Sequence, residues 1–202
     1  MKLRGLYAIT PDLADTGLLS RKVEQALAGG AVALQYRNKL LAKDKRLAQA
    51  HRLAALAHGY GVPFIVNDDI EIALAVGANG AHLGKDDANL RAARERLAGK
   101  ILGASCYDRI ELARAAVAGG ADYVAFGSVF PSPTKPTAVR APLSLFGEAK
   151  SLGVPLAAIG GITLENAPQL LAAGADLLAV ISDLFDAADV AARATQYARL
   201  FA

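Results

Sequence analysis

Cysteine is nearly absent from this sequence, and so are the long apolar runs of membrane proteins. Cys106 is the only cysteine among the 202 residues, which excludes an intrachain disulfide and a zinc site built from several cysteines. No apolar run approaches the roughly 18 residues of a membrane span, and the first residues lack a signal-peptide hydrophobic region. We therefore expect a soluble protein of the reducing cytoplasm with no membrane partner.

Clustered charge is also lacking. Twenty-two Lys and Arg stand against 19 Asp and Glu, and the net charge of +3 comes from scattered residues such as Arg91, Arg94 and Arg96. A nucleic-acid surface would need a basic cluster with interleaved aromatic residues, so we expect no nucleic-acid partner. Because no linker, low-complexity tract or charge block interrupts the chain, residues 1–202 are expected to form one domain.

The sequence does contain a fourfold repeat, in which a helical stretch rich in Ala and Leu ends at a glycine and a short apolar run follows. The segments are 28–36, 76–84, 118–127 and 172–180, with glycines at Gly30, Gly77, Gly120 and Gly174. Such a glycine can take the left-handed conformation that ends a helix, so each segment predicts a helix-to-strand corner. The intervals of 47, 43 and 54 residues between these glycines suit two βα units each.

Four further strands are expected between the repeats, at 4–10, 61–67, 99–105 and 153–161. Eight apolar strands that alternate with eight amphipathic helices indicate a parallel sheet covered on both faces. The pattern predicts an α/β fold, a single-domain (β/α)8 TIM barrel. A doubly wound open sheet is the alternative, which the repeat and a length near the roughly 200-residue lower end of barrel domains disfavour. Chemistry then belongs on the loops at the carboxyl ends of the strands.

The loop after the second predicted strand carries the residues "QYRNK". Gln35, Arg37 and Lys39 alternate, which in an extended segment directs all three side chains to one side. Two cations and an amide suit an anionic ligand. A solvated loop with ordinary surface charges is the alternative.

Acidic pairs follow the third and fourth predicted strands. Asp68 and Asp87 belong to strands that would be neighbours, so their carboxylates are expected to converge. Oxygen ligands on separate loops can hold Mg²⁺, which takes its remaining ligands from water and substrate phosphates. Asp68, Asp69, Asp86 and Asp87 also lie where helix caps are expected, so one aspartate of each pair could cap a helix while the other binds metal.

Smaller groups end the fifth, seventh and eighth predicted strands. Ser105 can donate to a phosphate oxygen or serve in a turn, whereas Cys106 is interpreted as a small buried side chain because no base lies beside it. The glycine pair at 160–161 allows close backbone approach to a ligand. Ile181 and Ser182 offer amides near a helix start, the usual place of a barrel phosphate site.

The stretch "FPSPTKP" at 130–136 follows the sixth predicted strand. Its prolines make the segment stiff, and Ser132, Thr134 and Lys135 make it polar. This combination indicates a lid-like phosphate loop whose prolines reduce the entropy lost on ordering. His82, inside the fourth predicted strand, is interpreted as a core histidine with satisfied hydrogen bonds in preference to a functional one.

Together, these segments resemble the thiamine-phosphate synthase family, (β/α)8 enzymes of vitamin B1 synthesis. The matching segments, spread over nearly the whole chain, are "LYAIT", "QYRNK", "VNDD", "GAHLGKDDA", "GAS", "DYVAFGSVFPSPTK", "AIGGI" and "AVIS". The resemblance implies a transferase that joins 4-amino-2-methyl-5-(diphosphooxymethyl)pyrimidine to a thiazole phosphate and releases diphosphate, with Mg²⁺ as cofactor. Its partners would be these two small-molecule substrates, and the sequence leaves a homo-oligomer open.

The same resemblance assigns roles to individual residues. Asp68 and Asp87 would hold Mg²⁺, and Arg37, Ser105 and Lys135 would be catalytic. The residues implied in binding the pyrimidine diphosphate are Gln35, Tyr36, Arg37, Asn38, Lys39, Asn67, Ser105 and Lys135. Those implied in binding the thiazole phosphate are Ser132, Pro133, Thr134, Gly161, Ile181 and Ser182. The family more often has Leu and an acidic residue at positions 36 and 38 and Thr at 132, departures that leave the cations and the loop backbone intact.

The implied reaction is departure of diphosphate from an electron-rich aminopyrimidine, followed by attack of the thiazole nitrogen, and it needs no covalent nucleophile. Two alternatives stay open. A related thiazole tautomerase on the same barrel would need neither metal nor a leaving-group site, so the combined acidic and basic residues count against it. A catalytically silent barrel that senses thiamine intermediates is disfavoured by the same residues.

Overall fold

Eight parallel strands form a closed barrel in the computed structural model, which describes residues 3–84, 89–131 and 139–202. The strands are β1 (Gly5–Ile9), β2 (Ala33–Tyr36), β3 (Phe64–Asn67), β4 (Gly80–Leu83), β5 (Ile101–Tyr107), β6 (Tyr123–Phe126), β7 (Leu156–Ile159) and β8 (Leu177–Val180). Each strand pairs with the next along the chain, and the barrel closes where β1 pairs with β8. The predicted (β/α)8 barrel is therefore confirmed.

Helices cover the outside of the barrel. They are α1 (Thr16–Ala28), α2 (Lys43–Gly59), α3 (Ile70–Ala75), α4 (Leu90–Arg96), α5 (Ile110–Ala118), α6 (Ser144–Ala149), α7 (Ala167–Ala173), α8 (Ser182–Phe185) and α9 (Val190–Arg199), with a 3₁₀ turn at Lys150–Leu152. Asp15 accepts a hydrogen bond from the amide of Leu18 at 2.9 Å and so caps α1. The helix start predicted near Ile181 and Ser182 is confirmed by α8, whereas the separation of this short helix from α9 was not predicted.

The repeat glycines have the backbone geometry that the sequence predicted. Their φ angles are 99° at Gly30, 64° at Gly77, 94° at Gly120 and 108° at Gly174. After the first of these glycines, the amide of Ala31 donates back to the carbonyl of Ala26 at 3.1 Å and closes the helix end. Side chains with a Cβ rarely adopt such angles, so glycine lets each helix stop and the next strand begin within a few residues.

The strands separate two buried layers because successive side chains point to opposite faces of a sheet. The outer layer, between strands and helices, contains large apolar residues such as Leu34, Phe64 and Val124. The inner layer contains Tyr7 and Tyr123 together with several small residues. Those small residues are Ala33, Ala125, Ala157 and Ala179. The barrel interior thus combines two buried phenols with these small side chains and with larger apolar ones such as Ile9, Ile65 and Leu177.

Within the part of the chain that the structure describes, no helix is both long enough and apolar enough to cross a membrane.

Candidate active site

The carboxyl ends of the eight strands open at one face, the mouth of the barrel, where barrel enzymes hold their active sites. The predicted residues on β2, β3, β5, β7 and β8 and the loops that follow them belong to the described ranges. Five predicted site residues lie outside the described residues, and their predicted roles stay predictions: Asp87, Ser132, Pro133, Thr134 and Lys135.

Arg37 is fixed at the mouth by partners on the loop that follows β1. Its Nη1 donates to Asp12 Oδ2 at 2.8 Å, and the other oxygen of the same carboxylate accepts from the amide of Lys39 at 2.7 Å. The backbone of Arg37 is tied to Thr10, whose hydroxyl donates to its carbonyl at 2.8 Å and accepts from its amide at 2.9 Å. One carboxylate therefore organises the segment that carries both predicted cations.

Asp68 and Asp69 have different contacts, and Asp69 has the capping role that the sequence suggested for one aspartate of each acidic pair. Asp69 accepts from the amide of Ile72 at 3.0 Å and caps α3, which confirms the predicted cap. Asp68 instead has a φ of 62°, unusual for a residue with a side chain, and its Oδ2 lies 3.1 Å from Lys39 Nζ. The side chain of Asp68 is 25% exposed, so its carboxylate remains accessible beside the mouth.

A cavity of about 310 Å³ adjoins this ion pair on the helix side of β2 and β3. Its charged lining consists of Lys39, Arg46, Asp68 and Asp69, and Asn67 from the end of β3 also contributes. Arg46 Nη2 lies 3.4 Å from Asp69 Oδ2. The cavity therefore joins the predicted anion-binding segment to the predicted metal ligand in one polar space.

Tyr36 and Asn38, which the sequence placed among the substrate-binding residues, have side-chain partners in the helix layer. The Tyr36 hydroxyl donates to Gln49 at 3.1 Å, and burial raises the pKa of this phenol to about 12. The Asn38 amide nitrogen donates to the carbonyl of Leu13 at 2.9 Å. A substrate contact of either residue stays a prediction, and these bonds fix the loop between β2 and α2.

A chain of hydrogen bonds crosses the barrel interior below the mouth. Gln35 Nε2 donates to the hydroxyl of Tyr7 at 2.8 Å, and that hydroxyl lies 2.7 Å from the hydroxyl of Tyr123. The Tyr123 oxygen lies 2.9 Å from His82 Nδ1, and His82 Nε2 lies 2.9 Å from Ser105 Oγ. The chain joins two residues predicted to bind the pyrimidine diphosphate, Gln35 and Ser105, through three buried residues.

The chain is electrically neutral at ordinary pH. Burial lowers the pKa of His82 to about 4, against a smaller opposing effect of the nearby Asp68 carboxylate. Burial also raises the pKa values of Tyr7 and Tyr123 well above that of a free phenol. The interior therefore offers polar groups without formal charge, whereas the charged groups lie above it at the mouth.

Gly160 and Gly161, at the end of β7, admit a neighbouring chain segment. A Cβ on Gly160 would lie 2.1 Å from Ser128 Oγ, and one on Gly161 would lie 2.2 Å from the carbonyl oxygen of Pro131. The amide of Ser128 donates to the carbonyl of Val139 at 3.2 Å. Both described ends of the loop that contains residues 132–138 therefore lie at the mouth, beside the predicted phosphate glycine Gly161.

The loop after β8 leads into α8 at the same face. Ile181 precedes this helix and Ser182 begins it, so their amides lie in a first turn, where N–H groups lack intrahelical acceptors. Asp183 holds α8 in place, because its Oδ2 lies 2.6 Å from Arg193 Nη1 and accepts from the Tyr197 hydroxyl at 2.7 Å. A short extra helix after strand eight is a common element of barrel phosphate sites.

Among residues 3–84, 89–131 and 139–202, no group of three or more His, Cys, Asp or Glu side chains is arranged to hold a metal ion. Asp68 is the predicted ligand within these ranges. A single carboxylate beside a polar cavity suits Mg²⁺, which commonly keeps several waters and uses substrate phosphates as further ligands.

Sequence reasoning missed Asp12, Tyr7 and Tyr123. Asp12 lies three residues beyond the end of β1, so the search of strand ends that found Arg37 could have found it. Tyr7 and Tyr123 carried no such signal, because they lie 116 residues apart and meet only when the barrel closes. His82 was interpreted as a satisfied core histidine, and its two ring hydrogen bonds confirm that it is satisfied.

Comparisons with known proteins identify the family of this chain. The family model described as thiamine monophosphate synthase matches residues 6–184. The thiamine-phosphate synthase of Aromatoleum aromaticum is 59% identical over 99% of this chain and 97% of its own, and that of Chromobacterium violaceum is 56% identical over the same shares. A thiamine phosphate pyrophosphorylase structure from Pyrococcus furiosus superposes with a TM-score of 0.87 at 35% identity, covering 99% of this chain and 96% of that one. This chain, an enzyme of the transferase class, therefore belongs to the thiamine monophosphate synthase family.

Proposed function

We propose that this protein is a thiamine-phosphate synthase that condenses 4-amino-2-methyl-5-(diphosphooxymethyl)pyrimidine with a thiazole phosphate and releases diphosphate. The observation that carries the proposal is the mouth itself, where Arg37, Lys39 and Asp68 stand above a neutral, hydrogen-bonded interior. A substrate with an anionic tail and an uncharged heteroaromatic ring matches this separation of charged and neutral groups. The close relatives named for this activity support the same assignment.

The reaction that we propose needs two bond changes. The bond between the methylene carbon and the diphosphate oxygen breaks, and its electron pair leaves with diphosphate. The aminopyrimidine ring donates electron density to the cation that remains. The lone pair of the thiazole nitrogen then forms the new carbon–nitrogen bond. No proton transfer and no protein nucleophile are required, and this agrees with the buried position of Cys106.

The protein would lower the barrier by stabilising the leaving group and by aligning the two rings. Arg37 and Lys39 would bind diphosphate oxygens, the first as a guanidinium held by Asp12 and the second as an ammonium beside Asp68. Ser105 would donate its hydroxyl to an oxygen of the same group. Lys135, outside the described residues, is proposed to contribute a third cation, and Lys135→Ala is expected to reduce mainly the turnover of the diphosphate substrate.

The partly exposed carboxylate of Asp68 would coordinate Mg²⁺, and Asp87 is proposed as the second protein ligand. When bound, Mg²⁺ would supply positive charge that stabilises the departing diphosphate. Lys39, 3.1 Å from Asp68, would then neutralise the same carboxylate whenever the metal is absent. This pairing offsets part of the desolvation cost of a partly buried carboxylate.

The two rings would occupy different parts of the mouth. The pyrimidine is proposed to lie over the interior, where Gln35 can hydrogen-bond a nitrogen heterocycle and Ala125, Ala157 and Ala179 occupy little volume. The thiazole phosphate is proposed to lie toward β7 and β8, near the amides of Gly161 and the Ile181–Ser182 pair. Residues 132–134, on the loop between β6 and α6, would complete that phosphate site.

An assay with both substrates tests the proposal. Purified protein with Mg²⁺ should release diphosphate and form thiamine phosphate in equal amounts, and chelation of the metal should suppress both. Arg37→Ala should reduce the specificity constant for the pyrimidine diphosphate by about 100-fold, the usual order for loss of one charge-stabilising group. A folded protein that releases no diphosphate and isomerises a thiazole phosphate would instead be a tautomerase. A folded protein that binds these phosphates and turns over neither substrate would be a silent sensor.

A further inference from the structure

The hydrogen bonds of the chain inside the barrel all donate in one direction, which the chemistry of its members determines. It runs through β2, β1, β6, β4 and β5, in the order Gln35, Tyr7, Tyr123, His82 and Ser105. Four of these five side chains, all except Ser105, are 6% exposed or less. Because a buried donor without an acceptor costs about 1–3 kcal/mol, each proton in the chain should face an acceptor.

The direction begins at Gln35, whose Nε2 atom can only donate. The Tyr7 oxygen must therefore accept from Gln35. In the described part of the chain, the second hydrogen-bond partner of Tyr7 is Tyr123, at 2.7 Å. If Tyr7 also accepted from Tyr123, its own proton would be buried without an acceptor. Tyr7 therefore donates to Tyr123.

The direction of donation continues through His82. The Tyr123 oxygen accepts from Tyr7, so its proton is directed to His82 Nδ1 at 2.9 Å. A neutral imidazole carries one proton, and an accepting Nδ1 places that proton on Nε2. The Nε2–H then donates to Ser105 Oγ at 2.9 Å. Because Ser105 accepts this bond, its own hydroxyl can donate a hydrogen bond to a group at the mouth.

We infer that Tyr7, Tyr123 and His82 are positioning residues that fix Ser105 as a hydrogen-bond donor toward the mouth, where an anionic oxygen of the substrate would accept. The functional part of this inference rests on the proposed synthase reaction, whereas the direction of the chain does not. With the opposite direction, the Ser105 hydroxyl would donate its hydrogen bond to His82. Only its lone pairs would then face the anionic oxygen of the substrate, and these lone pairs would repel that oxygen.

The tautomer of His82 gives a direct test. Protein labelled with ¹⁵N in its histidine rings is recorded by NMR at neutral pH without substrate, and His82→Gln identifies the signals of His82 among the three histidines. The direction proposed here requires a protonated Nε2 and an unprotonated Nδ1. A proton on Nδ1, or on both nitrogens, would overturn it.

Kinetics test whether the direction matters for Ser105. Tyr123→Phe keeps the ring and removes the hydroxyl that fixes Nδ1 as acceptor, so kcat should fall by about tenfold or more, with little change in KM for the thiazole phosphate. The matched control is Ser20→Ala, which removes a buried hydroxyl on α1 outside the barrel and should leave kcat within about twofold of wild type. Equal kcat values for the two variants would overturn the inference.

His82 offers a rescue experiment that separates positioning from packing. His82→Gln retains an amide N–H that can donate to Ser105, and His82→Leu retains bulk without a donor. The Gln variant should keep about tenfold more of kcat than the Leu variant, and equal losses would contradict the role of the Nε2 proton. If wild-type protein forms no product, the proposed function fails, and the tautomer measurement alone then decides the direction of the chain.

Discussion

The Arg37 guanidinium and the Asp12 carboxylate lie 2.8 Å apart, and neither side chain is more than 25% exposed. Because the second oxygen of Asp12 accepts from the Lys39 amide, the carboxylate sets the direction of Arg37 and the path of the loop at once. Pairs of this kind, partly removed from solvent and supported by a second hydrogen bond, have a more defined geometry than exposed ion pairs.

Asp12→Ala should therefore reduce kcat/KM for the pyrimidine diphosphate by about 10- to 100-fold, because Arg37 loses its orientation. Asp15→Ala is the matched control on the same loop. It removes the cap of α1 and should cost about 1 kcal/mol of stability while leaving kcat/KM near wild type. Steady-state kinetics and chemical denaturation of both variants measure the two effects. Equal kinetic losses would remove Asp12 from its positioning role.

Asp68→Asn should raise the Mg²⁺ concentration needed for half-maximal activity by about tenfold or more, since it removes a charged oxygen ligand. Asp69→Asn provides the comparison, because Asp69 caps α3 and is paired with Arg46. Because asparagine also caps helices, that variant should change little in stability and should keep its magnesium response. Titration of activity with Mg²⁺ checks both, and a wild-type response in the Asp68 variant would exclude it as a ligand.

His82 should make the metal-free protein less stable as the pH falls. Its pKa is lowered from 6.5, the ordinary value for a histidine, to about 4 in the folded protein. Below about pH 6.5 the unfolded chain therefore binds a proton that the folded chain does not. The contribution to stability is fully present above that pH and declines toward pH 4, by about 3 kcal/mol in total.

Denaturation at pH 7 and pH 4 in metal-free buffer measures this effect. His82→Gln has no titrating ring at this position, so its stability should decline by about 3 kcal/mol less than that of wild type over the same interval. His51→Gln, at an exposed position of α2, should keep the full wild-type decline. The same decline in all three proteins would argue against a buried neutral His82.

Cys106 should be inert in the folded protein. Its side chain is fully buried, and burial raises the pKa of the thiol to about 12, so the reactive thiolate is nearly absent at pH 8. A thiol-specific aromatic disulfide should label one cysteine per chain in denaturant and label the native protein only as fast as it unfolds. Rapid labelling of the native protein would contradict the burial of Cys106.

The sequence predicted the barrel well because its evidence is local and repeated. Gly30 and its three equivalents mark helix ends within a few residues, and every predicted apolar run overlaps one observed strand. A helix start near Ser182 was predicted, but not the division of that helical region into α9 and the short α8. Its four residues, Ser182–Phe185, are too few to produce a helical period.

The candidate site was only partly predictable. Residues that directly follow strands, such as Arg37 and Asp68, could be found because parallel strands bring their carboxyl ends to one face. The contact between Tyr7 and Tyr123 could not, because it depends on how two distant strands face each other across the closed barrel. Asp12 illustrates a third case, in which the position was predictable and the pairing with Arg37 required the structure.

The hydrogen-bonded chain across the barrel also limits how this pocket can be redesigned. Its three central members each accept one hydrogen bond and donate the next. A substitution at Tyr7 therefore changes the hydrogen bonding of Ser105 on the opposite side of the barrel. Effects of changes at these positions are then expected to be non-additive. Libraries that aim at new heterocyclic substrates would do best to vary the linked positions jointly instead of one at a time.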